Sequence, residues 1–154
     1  MGTVSERLDD FRITMLLADA AQVVDGKLYV LGGGWTVTGP QPTPSALAVL
    51  IQVPWGETNR PHQLRLELVG AGGEPVMLPT GPDSAPQPLV IETKLEVGRP
   101  AGIRPGSRLS VPLAFGLFPL PLTPGERYLW RLTLDGAGHP EWQVEFDLRP
   151  AQGR

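Results

Sequence analysis

Two neighbouring segments near the C-terminus constrain the fold more than any other feature. In Arg127–Gly136, RYLWRLTLDG, the residues Tyr128, Trp130, Leu132 and Leu134 alternate with Leu129, Arg131, Thr133 and Asp135. In Glu141–Arg149, EWQVEFDLR, Trp142, Val144, Phe146 and Leu148 alternate with Gln143, Glu145, Asp147 and Arg149. An aligned set of side chains at every second position turns one face of an extended strand to a core and the other to water. Asp135-Gly136 through His139-Pro140 supplies the turn, so the two segments are expected to form an antiparallel hairpin.

The pattern recurs upstream. Leu64, Leu66 and Leu68 alternate in QLRLELVG, and Leu89, Ile91, Thr93, Leu95 and Val97 in PLVIETKLEV, where Glu92, Lys94 and Glu96 face water. ALAVLIQV, Ala46 to Val53, is apolar on both faces and belongs in the middle of a sheet. RLSVPLAFGLF is similar, but Pro112 has no N–H for a ladder and points to an edge or a bulge. The 19 glycines and 18 prolines cluster between these runs as turn punctuation, and no segment carries a sustained helical period with caps. The predicted fold is all-β: an antiparallel two-sheet β-sandwich of about eight to nine strands, immunoglobulin-like in general architecture, with little or no helix. LTPGERYLWRLTLDG resembles the strand entry of immunoglobulin-like domains, with Tyr128 as a corner tyrosine. A length of 154 residues suits one domain. Residues 1–10 are read as a flexible N-terminus, 11–150 as the domain and 151–154 as a tail.

A formal net charge of −3 with no run of like charges argues against nucleic acid as a partner. The absence of cysteine excludes disulfides and thiolate chemistry. The polar start MGTVSERLDD lacks the apolar stretch of a secretory signal, and no apolar run approaches the roughly 18 residues of a membrane span. A cytoplasmic location without membrane contact is expected.

The stretch Tyr29–Pro40, YVLGGGWTVTGP, imitates three ligand loops and fails each at a named residue. A phosphate-binding loop needs lysine and Ser/Thr after its last glycine, where Pro40 and Gln41 stand. The dinucleotide fingerprint needs glycine at Val37. A lipase-type oxyanion loop has histidine where Leu31 sits, and the chain has no G-x-S-x-G elbow. The structural alternative starts from Asp25-Gly26, a preferred two-residue hairpin turn. Pairing Val24 with Lys27 then sets Ala20 against Leu31, Asp19 against Gly32, Ala18 against Gly33 and Leu16 against Trp35. Glycines there mark a bulge or the close approach of another backbone.

His62 and His139 lack companions at metal-ligand spacing, and no calcium loop is present, so no metal or other cofactor is expected. Asp19 interrupts the apolar run TMLLADAAQVV. It reads as a bulge or edge carboxylate bonded to backbone amides, with a functional acid as the alternative. If strand directions strictly alternate, the loops bearing Trp35 and Arg104 and the turn bearing His139 share one end. Trp35, Arg104 and His139 would then line a surface for an anionic, sugar-like or aromatic ligand.

LLADAAQVVDGKLYVLGGGWTVTGPQPTPSALAV, VPW, LEVGRP and PLTPGERYLWRLTLDG together resemble an uncharacterised family of small hypothetical proteins from high-GC Gram-positive bacteria. The resemblance covers most of the chain after about residue 11 and implies no activity, ligand or catalytic residue. Three readings follow. The first is a non-enzymatic interaction or assembly module with a protein partner or self-association. The second is a small-ligand or carbohydrate-binding domain, and the third a hydrolase built on Asp19 and a histidine.

Overall fold

In the computed structural model of the protein, which describes residues 7–152, the alternation in the sequence becomes burial. Tyr128, Trp130, Leu132 and Leu134 all lie in the core, as do Trp142, Phe146 and Leu148 across the ladder. The strands are β1 (Arg12–Ala18), β2 (Ala20–Val24), β3 (Lys27–Leu31), β4 (Val37–Thr38), β5 (Ser45–Val53) and β6 (His62–Gly70). They continue with β7 (Met77–Leu78), β8 (Gln87–Pro88), β9 (Val90–Leu95), β10 (Leu109–Leu117), β11 (Arg127–Leu134) and β12 (Ala137–Leu148). Among the described residues helix is confined to a 3-10 turn at Trp55–Glu57 and to residues 7 and 8. None of it is long and apolar enough to cross a membrane.

The chain is all-β, as its pattern predicts, but its strands are divided more finely than expected. Among the described residues twelve strands form four sheets: β1-β5-β10, β4-β12-β11-β6-β9, and the ribbons β2-β3 and β7-β8. Two causes account for the difference from eight or nine strands in two sheets. Asp19 splits one apolar run into β1 and β2, and the two-residue strands β4, β7 and β8 form inside segments whose glycines and prolines read as loop. Pairing is antiparallel except between β4 and β12, which run parallel.

β5 lies between β1 and β10, as its two apolar faces require. Leu47, Val49, Ile51 and Val53 point inward and join Leu64, Leu66, Leu68, Trp130, Leu132 and Leu134 in one cluster. The three- and five-stranded sheets therefore share a core, and each of these leucines contributes roughly 1.5–3 kcal/mol by leaving water. β10 is the sheet edge that Pro112 calls for. The opposite face of β5 is different in kind. Ala46 and Ala48 point outward there beside Ala18 of β1, yet all three are buried, because the β2–β3 ribbon lies against β5 and β10 as an outer layer.

The β11–β12 hairpin forms as expected, with a tighter turn. Leu134 pairs with Ala137, and Asp135 and Gly136 take φ of 50° and 83°, the left-handed pair of a two-residue turn. His139 and Pro140 are not in the turn. They sit in β12, where the register slips opposite Leu132 between Arg131↔Gln143 and Thr133↔Gly138. Pro140 has no N–H to give a ladder, so a bulge is where it fits. The Tyr128 hydroxyl accepts the Thr123 N–H at 2.8 Å and fixes the chain entering β11, the corner contact that the sequence suggested.

Of the N-terminus expected to be flexible, residues 1–6 lie outside the described residues, and residues 7–10 are anchored. Leu8 is buried in the core, and the Arg7 guanidinium lies 3.3 Å from the Glu57 carboxylate. At the other end, residues 151 and 152 have no regular structure, and 153–154 fall outside the described residues.

Candidate functional site

The glycine run earns its place through Asp19. The β2–β3 ribbon closes at Asp25-Gly26, with φ of 51° and 72°, and its register runs from Val24↔Lys27 to Ala20↔Leu31, as predicted. Past Leu31 the ladder loosens. The Asp19 N–H is shared between the carbonyls of Leu31 at 3.0 Å and Gly32 at 3.2 Å, and Gly34 donates to the Leu17 carbonyl at 2.7 Å. A side chain on Gly32 would run into the Asp19 carboxylate, and Gly32 has φ +61°. A Cβ on Gly33 would sit 2.6 Å from Val30 Cγ1. The glycines let the chain step over Asp19 and leave the ribbon for the five-stranded sheet.

The expected Leu16–Trp35 pairing does not form. Leu16 is taken by Ala48 in the β1–β5 ladder, and the Trp35 indole turns inward onto the Phe146 ring, edge to face with centroids 6.0 Å apart. Burial of a large aromatic surface outweighs continuation of a ladder across glycines. There Trp35 forms part of the wall of a narrow, mostly apolar cavity of about 40 Å³ beside Leu17, Trp130 and Phe146. It also lines an open cleft of about 290 Å³ with Asp19, Gly32, Thr38, Thr43 and Arg149. The Trp35 Nε1–H is buried and has no acceptor among the described residues. Arg149 donates to the Gly39 carbonyl at 3.0 Å. The fold thus brings Asp19 and Trp35 together and adds Arg149, which sequence reasoning left as an ordinary outward residue of a strand.

Arg104 and His139 are not part of this group. Arg104 lies in the loop between Leu95, which pairs with His62, and Leu109, which pairs with Val53. His139 lies near the start of β12, its ring 5.5 Å from Trp142, and its Nδ1 accepts the Glu141 N–H at 3.1 Å. Both are at the end of the sheets opposite Trp35, which packs beside the end of β12 at Phe146. The expected shared surface assumed simple alternation of strand direction. The outer ribbon and the parallel β4 break that alternation and carry the GGGW segment to the other end.

The Arg104 end holds a buried polar cluster that local spacing did not reveal. His62 donates from Nε2 to the Glu57 carbonyl at 2.8 Å, and its Nδ1 lies 2.8 Å from Asp135 Oδ2. Asp135 also accepts the Gln63 N–H at 2.9 Å. A carbonyl only accepts, so Nε2 carries a proton, and Nδ1 is taken up by Asp135. Glu57 sits beside it, flanked by Arg7 and by Arg60 at 3.4 Å. Burial pushes the Asp135 carboxyl up, but the bonds from His62 and the Gln63 N–H outweigh it and hold the group below the usual carboxylate range. With both nitrogens engaged and the ring buried, the pair ties the start of β6 to the β11–β12 turn and offers no nitrogen to a substrate. Its members are 73 residues apart, which is why His62 carried no signal. Nearby, Arg99 stacks on Trp55 at 4.0 Å and donates to Thr58 Oγ1 at 2.7 Å. Among the described residues no group of three His, Asp or Glu side chains is placed to hold a metal.

A group of exposed apolar side chains lies on the outer ribbon. Ala20, Gln22, Val24, Lys27, Tyr29 and Leu31 share its outward face by register. Leu31 is 72% and Tyr29 51% exposed, and Val23, Val24 and Leu16 are exposed beside them. Ala20, Ala21, Gln22, Tyr29 and Leu31 line a shallow groove of about 190 Å³.

A family model described as a family of unknown function, DUF6941, matches residues 13–148, from β1 to the last residue of β12. No curated protein matches the chain.

Proposed function

For this chain, which belongs to the family of unknown function DUF6941, we propose a non-enzymatic role as a protein-interaction or assembly module of the cytoplasm, built on an immunoglobulin-like β-sandwich. The observation that carries the reading is the outward face of the β2–β3 ribbon. Alternation should make the solvent side of a two-stranded ribbon polar, yet Val24, Tyr29 and Leu31 are exposed there. Contiguous apolar surface of this kind marks interaction sites. The core shared by the three- and five-stranded sheets and the Tyr128–Thr123 corner support the sandwich reading. Eleven arginines against two lysines fit a source in a high-GC Gram-positive bacterium. The test is association of the full chain, with itself or with a captured protein, compared between wild type and Leu31→Glu. Association that ignores the substitution, or none at all, sinks the reading.

A second reading places a small anionic or sugar ligand in the cleft of Asp19, Trp35 and Arg149. It is favoured by Trp35, which lines that cleft and whose buried Nε1–H is an unmet donor. Thermal-shift screening with sugars and organic anions tests it, with Arg149→Ala as the control. Stabilisation that persists in Arg149→Ala, or no stabilisation by any compound, removes its support.

A further inference from the structure

We infer that the cleft of Asp19, Trp35 and Arg149 takes a small zwitterion, a ligand carrying an ammonium and a carboxylate on one short carbon chain. The inference rests on the ligand reading of that cleft and narrows the ligand to a class.

The cleft presents two opposite charges that do not meet. Asp19 and Arg149 both line its space of about 290 Å³. Among the described residues neither forms an ion pair. Each is held by its own anchor. The Asp19 N–H is shared between the Leu31 and Gly32 carbonyls, at the break between β1 and β2. Arg149 follows β12, where its backbone N–H donates to the Thr38 carbonyl at 2.8 Å. Its Nη1 donates to the Gly39 carbonyl at 3.0 Å.

Both groups keep bonding capacity for a ligand. Among the described residues the Asp19 carboxylate accepts no hydrogen bond, and Nε and Nη2 of Arg149 have no acceptor. Gly32 lines the same cleft, and its missing side chain leaves the space that this carboxylate fills.

Charge decides the class. A space of that volume is on the order of 7 Å across, within the Debye length of roughly 8 Å at physiological salt. A simple anion at Arg149 is therefore repelled by Asp19, and a simple cation at Asp19 by Arg149. A neutral sugar would desolvate both charges and neutralise neither. A ligand with both signs answers both, its ammonium donating to Asp19 and its carboxylate accepting from Arg149, with a charge-assisted bond at each end. Thr38 and Thr43 line the cleft as well, and a hydroxyl serves either end of such a ligand. Trp35 gives its carbon chain an apolar wall. The volume is at the small end for ligand sites and suits a chain of about two to four carbons.

Titration of the isotope-labelled full chain, followed by amide chemical shifts, tests the inference. The probes are glycine, β-alanine and γ-aminobutyrate, with propionate as the anion alone and propylammonium as the cation alone. At least one zwitterion is expected to bind about tenfold or more tighter than either single-charge probe. Asp19→Asn keeps the side chain's size and removes its charge. It should weaken the zwitterion about tenfold while leaving propionate unchanged or tighter. Arg149→Ala should abolish binding of both; if it disturbs the fold, the contrasting responses of Asp19→Asn decide alone. A zwitterion affinity unchanged in Asp19→Asn, or propionate binding as tightly as every zwitterion, overturns the inference. Propionate or a sugar that binds through Arg149 while no zwitterion binds tighter overturns it and leaves the ligand reading in place. Binding by none of these compounds removes both.

Discussion

The Asp19 carboxylate occupies the space that any side chain on Gly32 would need. The contact makes two separable demands, since Gly32 also holds a left-handed φ of +61°.

Gly32→Ala is expected to cost about 2–4 kcal/mol in urea unfolding, from the clash and the backbone together. Asp19→Ala in the same chain should recover the clash and leave only the backbone part, about 1 kcal/mol. A double-mutant cycle isolates the difference. Additive effects would mean that the two residues do not touch.

The pair of buried His62 and half-buried Asp135 should govern acid stability. Its sign follows from the lowered Asp135 carboxyl. The contribution is complete above the unfolded-state value of about 3.9 and is lost as pH falls through the lower folded value. Melting temperature measured downward from about pH 6 should therefore show an acid-side decline that Asp135→Asn flattens. At neutral pH Asp135→Ala should cost about 2–4 kcal/mol, because it strands a buried imidazole and the Gln63 N–H. Asp135→Asn should cost less, since its oxygen still accepts from Gln63 and asparagine tolerates the φ of 50°.

Tyr128→Phe keeps the ring in place, stacked on Phe146, and removes only the acceptor of the Thr123 N–H. A loss of about 1–2 kcal/mol is expected. An unchanged unfolding midpoint would show that this corner contributes nothing to stability.

Trp35 separates packing from polarity. Trp35→Phe removes the unpartnered Nε1–H and should change stability by less than about 1 kcal/mol, the smaller ring offset by relief of an unmet donor. Trp35→Ala should cost about 2–4 kcal/mol and speed amide exchange in the Gly39–Pro44 loop that borders the same cavity through Gln41, Pro42 and Thr43. Equal effects of the two substitutions would contradict this account.

Local alternation was enough to read β6, β9, β11 and β12 with their buried faces, the central place of β5 and the edge forced by Pro112. The register of the β2–β3 ribbon was legible too, because a two-residue turn fixes pairing outright. The path of the chain after Leu31 was not. Whether Trp35 stays on a ribbon or dives beside Phe146 depends on Leu16 being claimed by Ala48, a contact 32 positions away in sequence. Trp35 was set beside Arg104 and His139 for the same reason, since strand direction depends on the whole topology. The His62–Asp135 pair left no trace, because its members meet only after β6 and β11 have paired. Arg149 joined the cleft only through β12's contact with β4.

The alanine layer beneath the ribbon sets a mechanical gauge. Ala18, Ala46 and Ala48 are the small buried side chains on the face of β1 and β5 that the outer ribbon covers. Enlarging Ala48 to valine would act like a shim under a hinge leaf, lifting the ribbon and tilting Leu31 without altering any residue on the exposed face. The presentation of that face is thereby calibrated from inside the sheet, by residues that never meet solvent.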